Sequence, residues 1–276
     1  MNNIFSDTKQ AFSLKSNFEL NRAYFLFKII GNSTVVKITT SITKFALKFN
    51  LPVTFLIKAT VFDHFCGGVS EEDCNPVINK LFKNNVHSVL DFSTEGFNSE
   101  YEFDECLKKK ISIIEFIKNK EEIPFAVFKP TCLGSTELFI KKSLGKKFSE
   151  NEELMWSRVI NRFEKVCKKA YDNNIKILID AEEFDVQKAI DDLAILMMRK
   201  FNLLKPIVFN TVQMYRKDRL AYLNELINNK INDKVVFGLK LVRGAYMEKE
   251  RQLASERGIE SPICETKNDT DNNFNL

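Results

Sequence analysis

Lys240-Leu-Val-Arg-Gly-Ala-Tyr246 is a short apolar run that delivers a lysine, an arginine and a tyrosine to a glycine-containing turn. Comparable apolar runs recur upstream, at 86–92, 125–128, 175–179 and 207–210, before the run at 235–242 that carries Lys240. Their apolar residues are continuous more than alternating, which predicts parallel strands covered on both faces. Between them lie helical patterns. Phe103, Leu107, Ile111 and Ile114 form one stripe, and Trp156, Ile160, Phe163, Cys167 and Ala170 form a longer one. Ser149 with Glu152 is a capping box ahead of that second stripe. Asp185 precedes a third, carrying Ile190, Leu193, Ala194 and Met197, with Asn202 as its stop. The last three strand runs begin roughly 30 residues apart, the size of a βαβ unit. Strand-helix units without a Gly-rich phosphate fingerprint favour a (β/α)8 TIM-like barrel over a doubly wound nucleotide fold. Residues 1–60 lack this rhythm and read as an N-terminal helical region punctuated by Pro52. The barrel region is 61–276.

Composition excludes several classes. With 44% hydrophobic and 28% charged residues, the 276-residue chain has the balance of a folded α/β protein. The 41 basic and 37 acidic residues read as well mixed, with no basic stripe interleaved with aromatics, so no nucleic-acid partner is expected. Six cysteines without a CxxC pair read as reduced cytosolic thiols. Cys66, Cys74 and His64 are too loosely spaced to predict a zinc site, and no metal is expected. There is no secretory signal pattern, and the apolar run 24–30 is interrupted by Lys28 and far shorter than a membrane span.

In a barrel the chemistry gathers at the C-terminal strand ends. The polar residues there are Asp91 and Glu95 after the first run, Lys129 after the second, and Asp180, Glu182 and Glu183 after the third. Gln213 and Tyr215 follow the fourth, and Lys240, Arg243 and Tyr246 belong to the fifth. Lys129 is either a surface residue before Pro130 or a cation aimed into a site. Asp180, after an apolar run, either pairs with a cation or sits in a site. Glu182 and Glu183 read as caps or surface partners of the next helix. Lys240, flanked by Leu239 and Leu241, faces the barrel interior or bears a desolvation cost. Gly244 makes a turn or permits close approach of a ligand.

These residues carry a resemblance. Pro124-Phe-Ala-Val-Phe-Lys-Pro-Thr131, Leu178-Ile-Asp-Ala-Glu-Glu183, Val208-Phe-Asn-Thr-Val-Gln-Met-Tyr215 and Lys240-Leu-Val-Arg-Gly-Ala-Tyr246 resemble, in this order, the motifs of the proline dehydrogenase family. Lysine at the head of the last motif is similar to the monofunctional type. The resemblance implies an FAD-holding (β/α)8 barrel that oxidises L-proline to pyrroline-5-carboxylate in proline catabolism. It implies catalytic roles for Asp180 and Lys240, and contacts from Lys129 and Tyr246 to the substrate. Ala181, Gln213, Arg243, Gly244 and Ala245 are implied to line FAD. A membrane quinone is the implied electron acceptor, and the implied location is cytoplasmic with peripheral contact at the inner membrane.

The family's barrel continues for three more strands and a final helix bearing an arginine pair. Against that pattern the region 61–276 reads as about five of eight strand-helix units, truncated at the C-terminus, with weak or no FAD binding and negligible turnover expected. Two other readings stand beside it: a non-catalytic fragment of a degraded gene, and an aldolase using Lys129 or Lys240 as a Schiff-base lysine.

Overall fold

The computed structural model describes residues 6–49, 51–53, 55, 58–92, 96–228 and 234–276. Its longer helices are α1 (Asn17–Ile30), α2 (Ser33–Lys48), α3 (Asn75–Phe82), α4 (Glu100–Ile117), α5 (Thr136–Ser143), α6 (Glu150–Asp172), α7 (Phe184–Phe201), α8 (Arg219–Asn228), α9 (Met247–Arg257) and α10 (Lys267–Asn275). The strands are β1 (Val89–Leu90), β2 (Phe125–Phe128), β3 (Lys176–Ile179), β4 (Val208–Gln213) and β5 (Leu239–Val242). Two compact units divide the chain, Met1–Val77 and Ile78–Leu276. In the first, Ser16 and Glu19 close a capping box on α1, and α1 runs on into α2 after Gly31.

The second unit holds a five-stranded sheet in the order β1-β2-β3-β4-β5, every pair parallel. Helices follow the strands in turn, which is the arrangement of a partial (β/α)8 barrel. Burial is deepest in the middle: β4 is buried along almost its whole length, whereas Val89 at one edge and Leu241 at the other are exposed. The core behind the sheet is aromatic. Phe128 meets Phe163 edge-on at 5.2 Å, and Phe139 meets Trp156 at 5.4 Å, arrangements worth somewhat more than their area alone.

Helix starts follow their local chemistry. Ser149 and Glu152 form the expected capping box on α6, and Glu152 also accepts from Lys141 Nζ at 2.7 Å, which together pull its carboxyl down to about 2. On α6 the buried stripe is Trp156, Val159, Phe163, Val166, Cys167 and Ala170, while Ile160 is only half-buried. On α4, Ile113 takes the deep position and Ile111 is likewise half-buried. Both stripes are wider than a single i, i+3/i+4 row because sheet and neighbouring helices press on adjacent rows.

Four sequence readings need correction. The run at 86–92 is strand only at Val89–Leu90, where it pairs with Phe125 and Ala126 of β2. Asp185 does not precede its helix: Glu183 is the N-cap of α7, and Asp185 sits in the first turn, where the Arg257 fork grips it at 2.8 and 2.6 Å. β4 runs three residues further than predicted, to Gln213, because its end keeps pairing with β5. The run at 235–238 is not strand. Val236 donates to the Asn202 carbonyl instead, and a Cβ on Gly238 would lie 2.4 Å from the Val208 carbonyl oxygen, so the chain passes too close for a side chain. Asn202 organises this corner. Fully buried, it accepts from Ile207 N at 3.0 Å and Val208 N at 2.8 Å, and donates to Val208 O at 2.8 Å and Val236 O at 3.0 Å.

Candidate active site at the strand ends

The ladder register places the chemistry. Phe128 pairs with Ile179, Ile179 with Asn210, and Thr211 with Lys240. One step beyond the first two pairs, Lys129, Asp180, Thr211 and Lys240 fall in a single row across β2–β5. In parallel strands, residues in one row share a face and neighbouring rows alternate. Gln213, two residues after Thr211, returns to that same face.

Lys129, Asp180, Ala181, Gln213, Lys240, Arg243, Gly244, Ala245 and Tyr246 all line one open cleft of about 410 Å³, together with Thr211 and Val242. The nine residues to which the resemblance assigns catalytic, substrate or cofactor roles therefore line one cleft. Asp180 Oδ1 forms a close ion pair with Lys240 Nζ, both groups only partly exposed, so the carboxylate meets its cation inside the cleft. Gln213 is buried, with Nε2 donating to the Glu182 carbonyl at 2.8 Å and Oε1 accepting from Ala245 N at 3.4 Å. Thr211 is 3% exposed, and among the described residues its Oγ1 has no hydrogen-bond partner.

The turn after β5 is shaped by its glycine. Gly244 has φ +140°, a conformation that side chains rarely adopt, and a Cβ there would lie 2.4–2.5 Å from ring carbons of Tyr215. The Tyr215 ring thus packs flush against the backbone, and burial pushes its hydroxyl up to a pKa beyond the ordinary tyrosine range. Arg243 is directed away from the row: its Nε donates to Asp271 of α10 at 2.6 Å, and its guanidinium lies 4.5 Å over the Phe274 ring. Past this turn the cleft opens into a second of about 760 Å³ that shares Arg243–Tyr246 and adds Lys249, Arg251, Thr266 and Lys267.

Other strand-end groups have different roles. Asp91 is bound by Lys110, a 3% exposed lysine of α4 that also donates to the Phe92 carbonyl, each at 2.9 Å. Glu95 lies outside the described residues. Glu183 pairs with Lys249. Glu182 is neither a cap nor a surface partner: its carboxylate is buried and accepts from Thr131 N at 2.8 Å and Thr131 Oγ1 at 2.6 Å. No local pattern marks Glu182, which lies past the end of β3 at Ile179, whereas Thr211 was legible from Gln213, since i and i+2 of a strand share a face.

Comparison with known proteins shows the family and the fold. The family model described as proline dehydrogenase matches residues 74–276. The carbapenem antibiotics biosynthesis protein CarD of Pectobacterium carotovorum is 31% identical over 252 residues, covering 90% of this chain and 66% of its own length. Proline dehydrogenase 1, mitochondrial, of Arabidopsis thaliana is 27% identical over 260 residues, covering 80% of this chain and 52% of its own. The human protein of that name is 43% identical over 122 residues, covering 44% of this chain and 20% of its own. The chain thus spans two thirds or less of these relatives' lengths. Among solved structures, proline utilization A from Bdellovibrio bacteriovorus, inactivated by N-propargylglycine, superposes with a TM-score of 0.67 at 21% identity, over 79% of this chain and 24% of that one. That likeness shows the fold, and with a family match running over most of the sequence, the chain belongs to the proline dehydrogenase family.

Proposed function

We propose that the strand ends of β2–β5 form part of a site that oxidises L-proline to pyrroline-5-carboxylate with FAD. The single row Lys129, Asp180, Thr211 and Lys240, facing one cleft, carries this reading. The residues present suit a flavin dinucleotide. Gly244 keeps the turn free of a side chain, with the Tyr215 ring packed on it, and among the described residues Thr211 Oγ1 has no hydrogen-bond partner. The second cleft gathers Arg243, Lys249, Arg251 and Lys267, which pair with Asp271, Glu183 and the Cys264 and Glu265 carbonyls and would exchange those partners for phosphates. Gln213, Arg243, Gly244, Ala245 and Ala181 would hold it, and when bound it would supply the acceptor for the hydride, carrying both electrons, that leaves proline C5.

The chain's own groups bind and orient. Lys129 offers an ammonium to the proline carboxylate, and Tyr246 walls the ring, so that C5 is held toward the row; such positioning is the main rate advantage available here. Lys240 would place a positive charge beside a bound acceptor and offset the negative charge that the arriving hydride brings. Asp180 holds Lys240 in that place. Membership of the family does not favour the Schiff-base reading of these lysines.

A membrane quinone as electron sink, with cytoplasmic location and peripheral contact, is part of the same proposal. It is supported by a charge pattern that overall composition conceals. From Leu20 to Phe62 there is no acidic residue, while Arg22, Lys28, Lys37, Lys44, Lys48 and Lys58 are all basic. On α2, Ile38, Ile42 and Phe45 form an exposed apolar stripe continued by Phe49, the pattern of a helix lying on an anionic surface. Among the described residues no helix is long and apolar enough to cross a membrane.

The test is product formation. Protein supplied with FAD, L-proline and an artificial acceptor dye should generate pyrroline-5-carboxylate, trapped as its o-aminobenzaldehyde adduct, and Lys129→Ala should raise the proline KM. Trapping of a borohydride-reducible lysine adduct in place of that product would favour the aldolase reading.

A further inference from the structure

Glu182 is the buried ionisable group beside the cleft that the proposed reaction leaves without a task. It is 8% exposed. Its carboxylate clamps both the backbone N–H and the hydroxyl of Thr131, at 2.8 and 2.6 Å. Its backbone N–H donates to Gln187 Oε1 at 2.9 Å, and its carbonyl accepts from Gln213 Nε2 at 2.8 Å. One residue therefore ties together the turn after β2, the end of β4 and the first turns of α7. The tie is anchored from behind: Gln187 donates to Asp191 Oδ1 at 2.8 Å, and Asp191 receives Arg219 at 2.8 Å on its other oxygen.

Stability alone does not account for a carboxylate here. Burial pushes the Glu182 carboxyl above its ordinary range, and the Thr131 donors and the positive charge of Lys129 only partly oppose this. An apolar side chain of similar volume is often as good for stability at a buried ionic position. What an apolar residue cannot do is accept two hydrogen bonds from Thr131 and so define the path of Lys129-Pro130-Thr131. Nor is the Gln213 amide free to turn over, since its two ends are read by a carbonyl and an N–H respectively.

We propose that Glu182 is a positioning residue for substrate: by gripping Thr131 it aims Lys129 at the proline carboxylate, and by its carbonyl it fixes the face that Gln213 shows to the cleft. The proposal rests on the proline-oxidation reading above. It predicts a defect in binding more than in turnover, because the grip on the carboxylate acts alike on bound substrate and transition state.

The experiment compares wild type with Glu182→Gln, Glu182→Ala and Thr131→Val by proline kinetics, thermal unfolding and amide hydrogen exchange. Glu182→Ala should raise the proline KM by roughly ten- to hundredfold, the size expected for loss of a charge-assisted contact, with kcat changed by less than about threefold. Glu182→Gln, which can still accept from Thr131 N and donate to its hydroxyl, should restore KM to within about threefold of wild type. Thr131→Val, keeping only the N–H contact, should fall between. In the absence of FAD and proline, Thr131 N–H should exchange slowly in wild type and in Glu182→Gln, and faster in Glu182→Ala. A KM unchanged in Glu182→Ala, or kcat falling with KM constant, would overturn the proposal, as would unchanged exchange at Thr131. If wild type itself shows no proline-dependent turnover, the functional reading fails instead, and the exchange measurement still decides whether Glu182 holds the turn.

Discussion

Asn202→Ala is the substitution whose cost follows most directly from the structure. The side chain makes four hydrogen bonds to backbone, two accepted and two donated, and is fully buried. A net contribution of about 1 kcal/mol per bond sets a floor of about 4 kcal/mol for the loss. Where water cannot reach the freed N–H and C=O groups of Ile207, Val208 and Val236, the penalty per group rises and the total reaches about 4–8 kcal/mol. Against a domain stability of about 5–15 kcal/mol, that leaves Asn202→Ala close to unfolding at ambient temperature. Asn202→Asp is the sharper comparison, because it keeps both acceptors and turns the donors into a carboxylate facing two carbonyl oxygens. Its folded-state pKa must rise above the unfolded value of about 3.9. The stability it retains is therefore full below that pH and is lost as pH rises through the folded pKa. Urea denaturation of both variants, with Asn202→Asp measured from pH 4 to 7, provides the assay. A loss below about 1 kcal/mol in Asn202→Ala, or Asn202→Asp gaining stability with rising pH, would refute this reasoning.

Three further outcomes are expected. Gly244→Ala must relieve both a forbidden φ and a clash with the Tyr215 ring, at a combined cost of about 2–5 kcal/mol; a melting temperature equal to wild type would show that the turn is not so constrained. The raised Glu182 carboxyl means that its folded form binds protons more tightly than its unfolded form. Its stabilising contribution is full below the unfolded pKa and declines as pH rises through the raised one, so the stability difference between wild type and Glu182→Gln should shift in favour of Glu182→Gln over that window, read by urea midpoints at several pH values. Vesicles containing anionic lipid should sediment the protein, weakly at high salt, and Lys37→Glu with Lys44→Glu should abolish this; equal binding to neutral vesicles would remove the electrostatic basis of the membrane proposal.

The sheet was legible because parallel strands buried on both faces leave continuous apolar runs, as at Phe125–Phe128, which the structure reproduces residue for residue. The strand-end residues were legible for the complementary reason, that a charge directly following such a run has few explanations. What escaped was whatever depended on distant partners. Glu182 resembles a helix cap until Thr131, 51 positions away in sequence, is brought against it. Likewise Glu250 of α9, 66 positions from its partner, satisfies the first N–H of α7 by accepting from Phe184 N at 2.5 Å, and no local pattern announces it. Asn202 was visible as a helix stop, but its hold on β4 and on Val236 was not. The extent of β4 was missed because Thr211 and Gln213 are polar, and their burial comes from β5 and Glu182 rather than from their own character.

Anaerobic titration of the FAD-supplied protein with L-proline, followed by visible absorbance, tests the row across β2–β5 most directly. Bleaching of protein-bound flavin by proline in wild type, with Lys240→Met retaining flavin but bleaching more slowly, is the expected result. Flavin that binds and stays oxidised at saturating proline, or bleaches equally fast in Lys240→Met, would contradict the assignment of these strand ends to proline oxidation.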